Sequence, residues 1–223
     1  MKLVSSLKSP YGRMARIVRL EKGLDDSVEY EVVQTRGENN PYYNVNPSGR
    51  VPSLILDDGT VLEESALICW YLDYIDGKPK LHPADGINGL EQRRMEAIAR
   101  SMLDGISLWL REYIYRPPEI HSETIIDHER RRALRLADIF EKEVESESLS
   151  GPINMAQITL ACVLHGNMID SLPEFAWQEG RPHLCNWVAR IGQNLSVKKT
   201  APAYPDLAAI SLTECSRIGE GRN

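Results

Sequence analysis

Cysteine is scarce in this chain, and what there is lies scattered. The four thiols, Cys69, Cys162, Cys185 and Cys215, form no CxxC pair. That excludes a disulfide framework or a zinc ribbon and points to reduced, mostly buried thiols. The five histidines (His82, His121, His128, His165, His183) include no pair at helical ligand spacing beside a carboxylate motif, so no metal is assigned. No apolar run approaches the ~20 residues that a membrane helix needs. The opening MKLVSSLKSPYG also lacks the apolar core of a secretory signal. A cytoplasmic protein with no membrane partner is expected. Positive charge is in deficit too: a formal net charge of -6 and a pI near 5.5 argue against nucleic-acid binding.

What is present is ordinary for a globular protein, with 42% hydrophobic and 26% charged residues. A chain of 223 residues can form one large domain or two modest ones. Residues 1–6 read as a short strand, and Ser9-Pro10 as the cap and first residue of a helix that Gly23 ends. Residues 28–33 alternate as a second strand. A loop over 37–49 includes a short helical turn at Tyr42-Tyr43. Asp57-Asp58-Gly59 is a hairpin turn between two further strands. A helix over 64–75 follows, with Leu67, Ile68, Tyr71, Leu72 and Ile75 as its apolar side. Strand-helix-strand, hairpin and helix make a compact α/β unit. Residues 76–89, with two prolines and three glycines, read as an interdomain linker.

Beyond the linker the pattern is helical throughout. The spacing predicts helices over 90–115, 122–145, 154–169 and 183–195. The third is nearly all apolar and is placed at the centre of a bundle. The second is expected to bury Ile125, Ile126, Leu134, Leu136, Ile139 and Phe140. The expected organisation is therefore an α/β domain over 1–78, an all-α domain over 88–200 and a tail over 201–223.

Three stretches carry chemistry. Ser9-Pro10-Tyr11-Gly12-Arg13 places a hydroxyl at a helix N-terminus, where free N–H groups and partial positive charge favour an anion such as a thiolate. Arg50-Val51-Pro52 opens a strand with a proline, leaving backbone groups for an extended peptide to pair with. Glu64-Ser65 opens a helix with a hydroxyl for a carboxylate and an acid for an ammonium. Each stretch taken alone is equally a cap, a turn proline or a first-turn acid. Together they outline a site for a small peptide with a thiol in its middle.

These residues resemble a known family. SPYGRMARIVRLEKGL is similar to the first helix of cytosolic glutathione S-transferases, and NPSGRVPSLILDDGTVLEESALICWYLD to the segment that holds their cis-proline and γ-glutamyl site. The resemblance spans residues 1 to 200 and implies a thioredoxin-like N-terminal domain, an all-helical C-terminal domain and a homodimer. It implies that Ser9 faces the glutathione sulfur and that Val51, before a cis Pro52, pairs its backbone with the cysteinyl part. Glu64 and Ser65 are then expected to hold the γ-glutamyl end, and Arg50 to reach the glycyl carboxylate. Leu103-Asp104-Gly105-Ile106 resembles the step at which Asp104 reaches the partner subunit's γ-glutamyl amine. Met102, Ile106, Trp109, Leu110 and Tyr113 either face the electrophile or form bundle core.

The departures bear on chemistry. Asn154-Met155-Ala156-Gln157 replaces the Ser/Thr and Asp that usually open the central helix, yet remains a capping box by chemistry. Position 9 is Ser where thiol-transferase classes carry Cys, and no cysteine follows it, which disfavours disulfide exchange through a protein thiol. The implied activity is transfer of glutathione thiolate to a small electrophile, as in detoxification, with glutathione as co-substrate. The rival implication is a non-catalytic glutathione-binding or regulatory protein of the same fold.

Overall fold

The computed structural model describes residues 1–83, 86–166, 172 and 174–202. Part of the expected linker (Ala84, Asp85), the expected helix end at Ile169, and the tail beyond Pro202 with Cys215 lie outside the described residues. The N-terminal unit is thioredoxin-like. Its elements are β1 (Lys2–Ser5), α1 (Pro10–Glu21), β2 (Glu29–Val32), a 3-10 turn (Pro41–Asn44), β3 (Ser53–Ile55), β4 (Val61–Glu63) and α2 (Ser65–Tyr74). The sheet order is β2-β1-β3-β4, with β1 parallel to β2 and β3 antiparallel to both β1 and β4. The α1 crossover makes the parallel pair possible, and the Asp57-Asp58-Gly59 turn makes the hairpin. Helices α1 and α2 pack on each other and on the sheet, burying Leu3, Ile17, Val18, Leu54, Ile68 and Leu72 completely.

The apolar side of α2 differs from expectation. Ile68, Cys69 and Leu72 are buried with Ser65, while Leu67 is 43% and Ile75 36% exposed. Apolar residues occupy both faces of this helix, so periodicity does not select the core face.

The rest is helical: α3 (Leu90–Tyr115), α4 (Glu123–Glu143), α5 (Glu147–Ser150), α6 (Met155–Leu164), α7 (Pro182–Ile191) and α8 (Leu195–Lys199). Every residue of α6 is buried, as a central helix requires. Asn154 Oδ1 accepts the Gln157 N–H at 3.1 Å, but Gln157 does not return the bond. Its amide donates instead to the turn carbonyls of Gly151 and Pro152, at 3.1 and 2.9 Å. Helix α4 buries Ile126, Glu129, Ala133, Ala137 and Phe140, and leaves Ile125, Leu134, Leu136 and Ile139 half-buried. Small residues set its contact with α3: a Cβ at Gly105 would lie 2.3 Å from a Glu129 carboxylate oxygen. The helix expected over 183–195 ends early, because Asn194 caps α8 through the N–H groups of Ser196 and Val197.

Buried polar groups join the two halves. Arg13 of α1, 1% exposed, donates to the carbonyls of His165 and, at 3.0 Å, Val197. Asp73 of α2 is fully buried and accepts the N–H groups of Lys80, Leu81 and His82 at 2.9, 3.0 and 2.8 Å. The His82 ring and Lys22 Nζ stand 2.9 and 3.6 Å away. Burial alone pushes a carboxyl pKa up, but here the hydrogen bonds from Lys80, His82 and Leu81 outweigh it and hold Asp73 below the usual range. A depressed folded pKa contributes stability above the unfolded value of about 3.9, and that contribution falls away as pH drops through the lower folded value. Asp73→Asn is therefore expected to destabilise by about 2–4 kcal/mol at pH 7. The difference from wild type should shrink as pH falls below ~4, which urea titrations at the two pH values check.

Candidate functional site

Strand register assembles the site. Val4 of β1 lies opposite Ser53 of β3, and Ser53 lies opposite Glu63 of β4. Because β3 runs against its neighbours, its beginning shares one sheet edge with the ends of β1 and β4. The chain leaves β1 toward Ser9, enters β3 through Val51-Pro52, and leaves β4 into Glu64-Ser65. Five of the seven expected site residues thus meet at one edge, with Arg50 beside them.

At the first corner, Ser9 Oγ accepts the Gly12 N–H at 3.1 Å and caps α1, with Pro10 as the first helical residue. No acidic residue occupies that first turn, so the partial positive charge of the helix end is not neutralised from within it. Gly12 is needed there, since a Cβ would sit 1.7 Å from Ser5 Oγ.

At the second corner, the Val51-Pro52 peptide is cis. Tyr42 Oη donates to the Arg50 carbonyl at 2.7 Å and lies 2.6 Å from Ser53 Oγ. Asn46 Nδ2 reaches the same two oxygens at 3.1 and 3.0 Å. The flanks of Val51 are pinned, while among the described residues its own N–H and C=O meet no hydrogen-bond partner. Tyr42, Asn46 and Ser53 are site residues that sequence reasoning missed. Only the loop over 37–49, with its helical turn at Tyr42-Tyr43, hinted at them. Arg50 is exposed.

At the third corner, Glu64 is exposed and holds φ 75° and ψ 118°. A side chain in that region costs on the order of 1–3 kcal/mol and persists only where its surroundings enforce it, as at many binding sites. Its Oε1 accepts the Ala66 N–H at 3.3 Å and the Ser65 hydroxyl at 3.1 Å. Ser65 is 2% exposed.

Helix α3 forms the facing wall. Asp104 is exposed, and its carboxylate accepts the Tyr11 hydroxyl within the same chain. Burial, then this bond, push the Tyr11 pKa well above its usual value, so the phenol stays neutral. One turn earlier on the same face, Arg100 reaches Ser65. Further along, Tyr113 packs edge-on against His121, and the Arg36 guanidinium sits 3.8 Å over the Tyr115 ring. Met102, Ile106, Trp109 and Leu110 are buried, so of the two readings open for them the bundle core is correct. A hollow of about 600 Å³ between the sheet and residues 33–45 includes none of the expected site residues in its lining.

The family model for the glutathione S-transferase N-terminal domain matches residues 8–75. Over 204 residues the chain is 30% identical to a GST-like protein of Escherichia coli K12, YibF, covering 91% of this chain and 98% of that one. This chain belongs to the glutathione S-transferase family. It is also 29% identical over 206 residues to glutathione S-transferase 2 of Saccharomyces cerevisiae, covering 85% and 84% of the two chains. Among solved structures, a glutathione transferase family member from Pseudomonas fluorescens Pf-5, crystallised with bound glutathione, superimposes with a TM-score of 0.81. That pair is 30% identical and aligns over 91% of this chain and 99% of the other. The N-terminal architecture and the large helical region are those of the transferase fold.

The cap at Ser9 separates two roles of one side chain. Ser9→Ala is expected to cost about 1 kcal/mol of stability by losing the bond to Gly12, and Ser9→Asn to restore most of it. Thermal unfolding of the two variants beside wild type measures this.

Proposed function

We propose that this protein binds glutathione across the three corners and transfers its thiolate to a small electrophile. The observation that carries this reading is the backbone of Val51, without a partner among the described residues, pinned on both sides and flanked by two helix N-termini. A cysteinyl N–H and C=O fit there as an added strand, while the γ-glutamyl ammonium and carboxylate meet Glu64 and Ser65. Arg50 lies toward the glycyl end. One Ser9 lone pair is engaged by Gly12, and its hydrogen is free to be offered to a sulfur. Lowering a thiol pKa from about 8.5 to below 7 requires about 2 kcal/mol, within reach of one charge-assisted hydrogen bond and a helix end. The thiol proton leaves to solvent, sulfur bonds to the electrophilic atom, and any leaving group departs with its electron pair. Tyr11, Asp104 and Tyr113 wall the side from which the electrophile approaches.

The rival reading, a non-catalytic glutathione-binding or regulatory protein, is favoured by the same capping bond, which by itself accounts for a serine at position 9. Thiolate absorbance of bound glutathione, followed against pH, separates the two. Transfer predicts a pKa below 7 in wild type that rises toward ~8.5 in Ser9→Ala, with turnover of an activated aryl halide falling about 10- to 100-fold. Bound glutathione with an unshifted thiol and an unchanged rate would leave the non-catalytic reading standing.

We also propose a cytoplasmic homodimer, its chain divided at the linker into units 1–78 and 88–200. The outer face of α2 supports the dimer: Leu67 and Trp70 are 43% and 47% exposed, and Trp70 stacks on Tyr74. Ile87 and Leu90, 78% and 54% exposed, add apolar surface at the start of α3. Asp104 is then available to a partner's γ-glutamyl amine through the carboxylate oxygen that Tyr11 does not use. Trp70→Glu is expected to shift the protein from dimer to monomer by sedimentation at micromolar concentration. An unchanged dimer would place the interface elsewhere.

A further inference from the structure

The Arg100 guanidinium on α3 reaches the first turn of α2, 35 residues earlier in the chain. One terminal nitrogen, Nη1, donates to Ser65 Oγ at 3.2 Å, and Nε donates to Glu96 Oε1 at 2.8 Å. The other terminal nitrogen, Nη2, is buried and meets no hydrogen-bond partner among the described residues. Glu96 engages only Nε, so the forked end of the cation points at α2 without a carboxylate bonded to it. A buried guanidinium nitrogen left unpaired is costly, and such a cost calls for a reason.

Ser65 explains what the fork can do. A hydroxyl has one hydrogen and two lone pairs. Arg100 occupies one lone pair and so fixes the direction in which the hydroxyl hydrogen can point. Here that hydrogen goes to Glu64 Oε1, 3.1 Å away. Glu64 is exposed, and its strained backbone holds it over the same corner. When the Glu64 carboxylate turns to an incoming ammonium, the Ser65 hydrogen is released toward an incoming carboxylate while the Arg100 bond persists. The positive charge behind Ser65 adds to that of the α2 N-terminus.

We propose that Arg100 is a positioning residue that orients the Ser65 hydroxyl, with its hydrogen toward the ligand side, and so selects ligands carrying the α-carboxylate of a γ-glutamyl group. This rests on the glutathione reading above. A merely structural Arg100, tying α3 to α2, predicts loss of affinity for every ligand of the cleft alike. The selective role predicts loss confined to ligands with that carboxylate.

Calorimetric titration with glutathione and with γ-aminobutyryl-cysteinylglycine, which lacks only that carboxylate, tests this on the full chain. Arg100→Met is expected to weaken glutathione about tenfold or more and the analogue less than about twofold. Arg100→Lys, which keeps charge but not the fork, should fall between wild type and Arg100→Met for glutathione. It also carries the comparison if circular dichroism finds the methionine variant unfolded, with about threefold weakening for glutathione alone. Equal weakening of both ligands, or of neither, overturns the role of Arg100 and leaves the glutathione reading intact. Wild type that binds no glutathione overturns both.

Discussion

The direction of β3 is the constraint on which the site depends. Were β3 parallel to β1, its entry would lie at the opposite edge of the sheet from Ser9. Running antiparallel, with Val4, Ser53 and Glu63 in one row, it brings its entry to the corner where β1 and β4 leave. Two helix N-termini and one unpaired stretch of backbone then converge with no long-range side-chain contact needed. Strand pairing is cooperative and register is set by which face is buried, so the convergence is as robust as the sheet. Leu3 and Leu54, opposite each other and fully buried, fix that register.

Polar groups inside the protein then fix what the sheet leaves loose. A buried charge contributes little net stability after desolvation, but it tolerates few alternative arrangements. Arg13 donates to the His165 and Val197 carbonyls and to the Thr200 hydroxyl, all on the helical half. Asp73 can remain ionised only while residues 80–82 wrap it with their N–H groups. Between them they set where the helical half stands relative to α1 and α2, and so how near α3 comes to the open edge. The Tyr42 and Asn46 pair works at shorter range, holding Arg50 and Ser53 on either side of the cis Val51-Pro52 peptide.

Much of this was legible in the sequence because it is written in local chemistry. Ser9-Pro10 is a cap at any helix start, Asp58-Gly59 is a hairpin turn, and the all-apolar run after Asn154 has nowhere to go but the centre of a bundle. What was not legible depends on groups distant in sequence. Nothing near Arg100 names Ser65 as its partner, and nothing near Tyr42 names the Arg50 carbonyl. The exposed side of α2 was misread because Leu67 and Trp70 are as apolar as the residues they flank. The backbone of Glu64 was beyond sequence reasoning altogether, since positive φ is ordinarily a glycine property and no glycine stands there.

On the proposed reading, Ser9 is both the capping residue of α1 and the residue that faces the thiolate. A cap must accept a hydrogen bond from the helix, which uses one lone pair and leaves its hydrogen to point outward. The outward hydrogen therefore lies where the partial positive charge of the helix end is also strongest. Asn or Asp would cap as well, but Asp would bring a negative charge against the sulfur and Asn a bulkier amide. Among residues that cap, serine combines a hydroxyl donor with neutrality and small size.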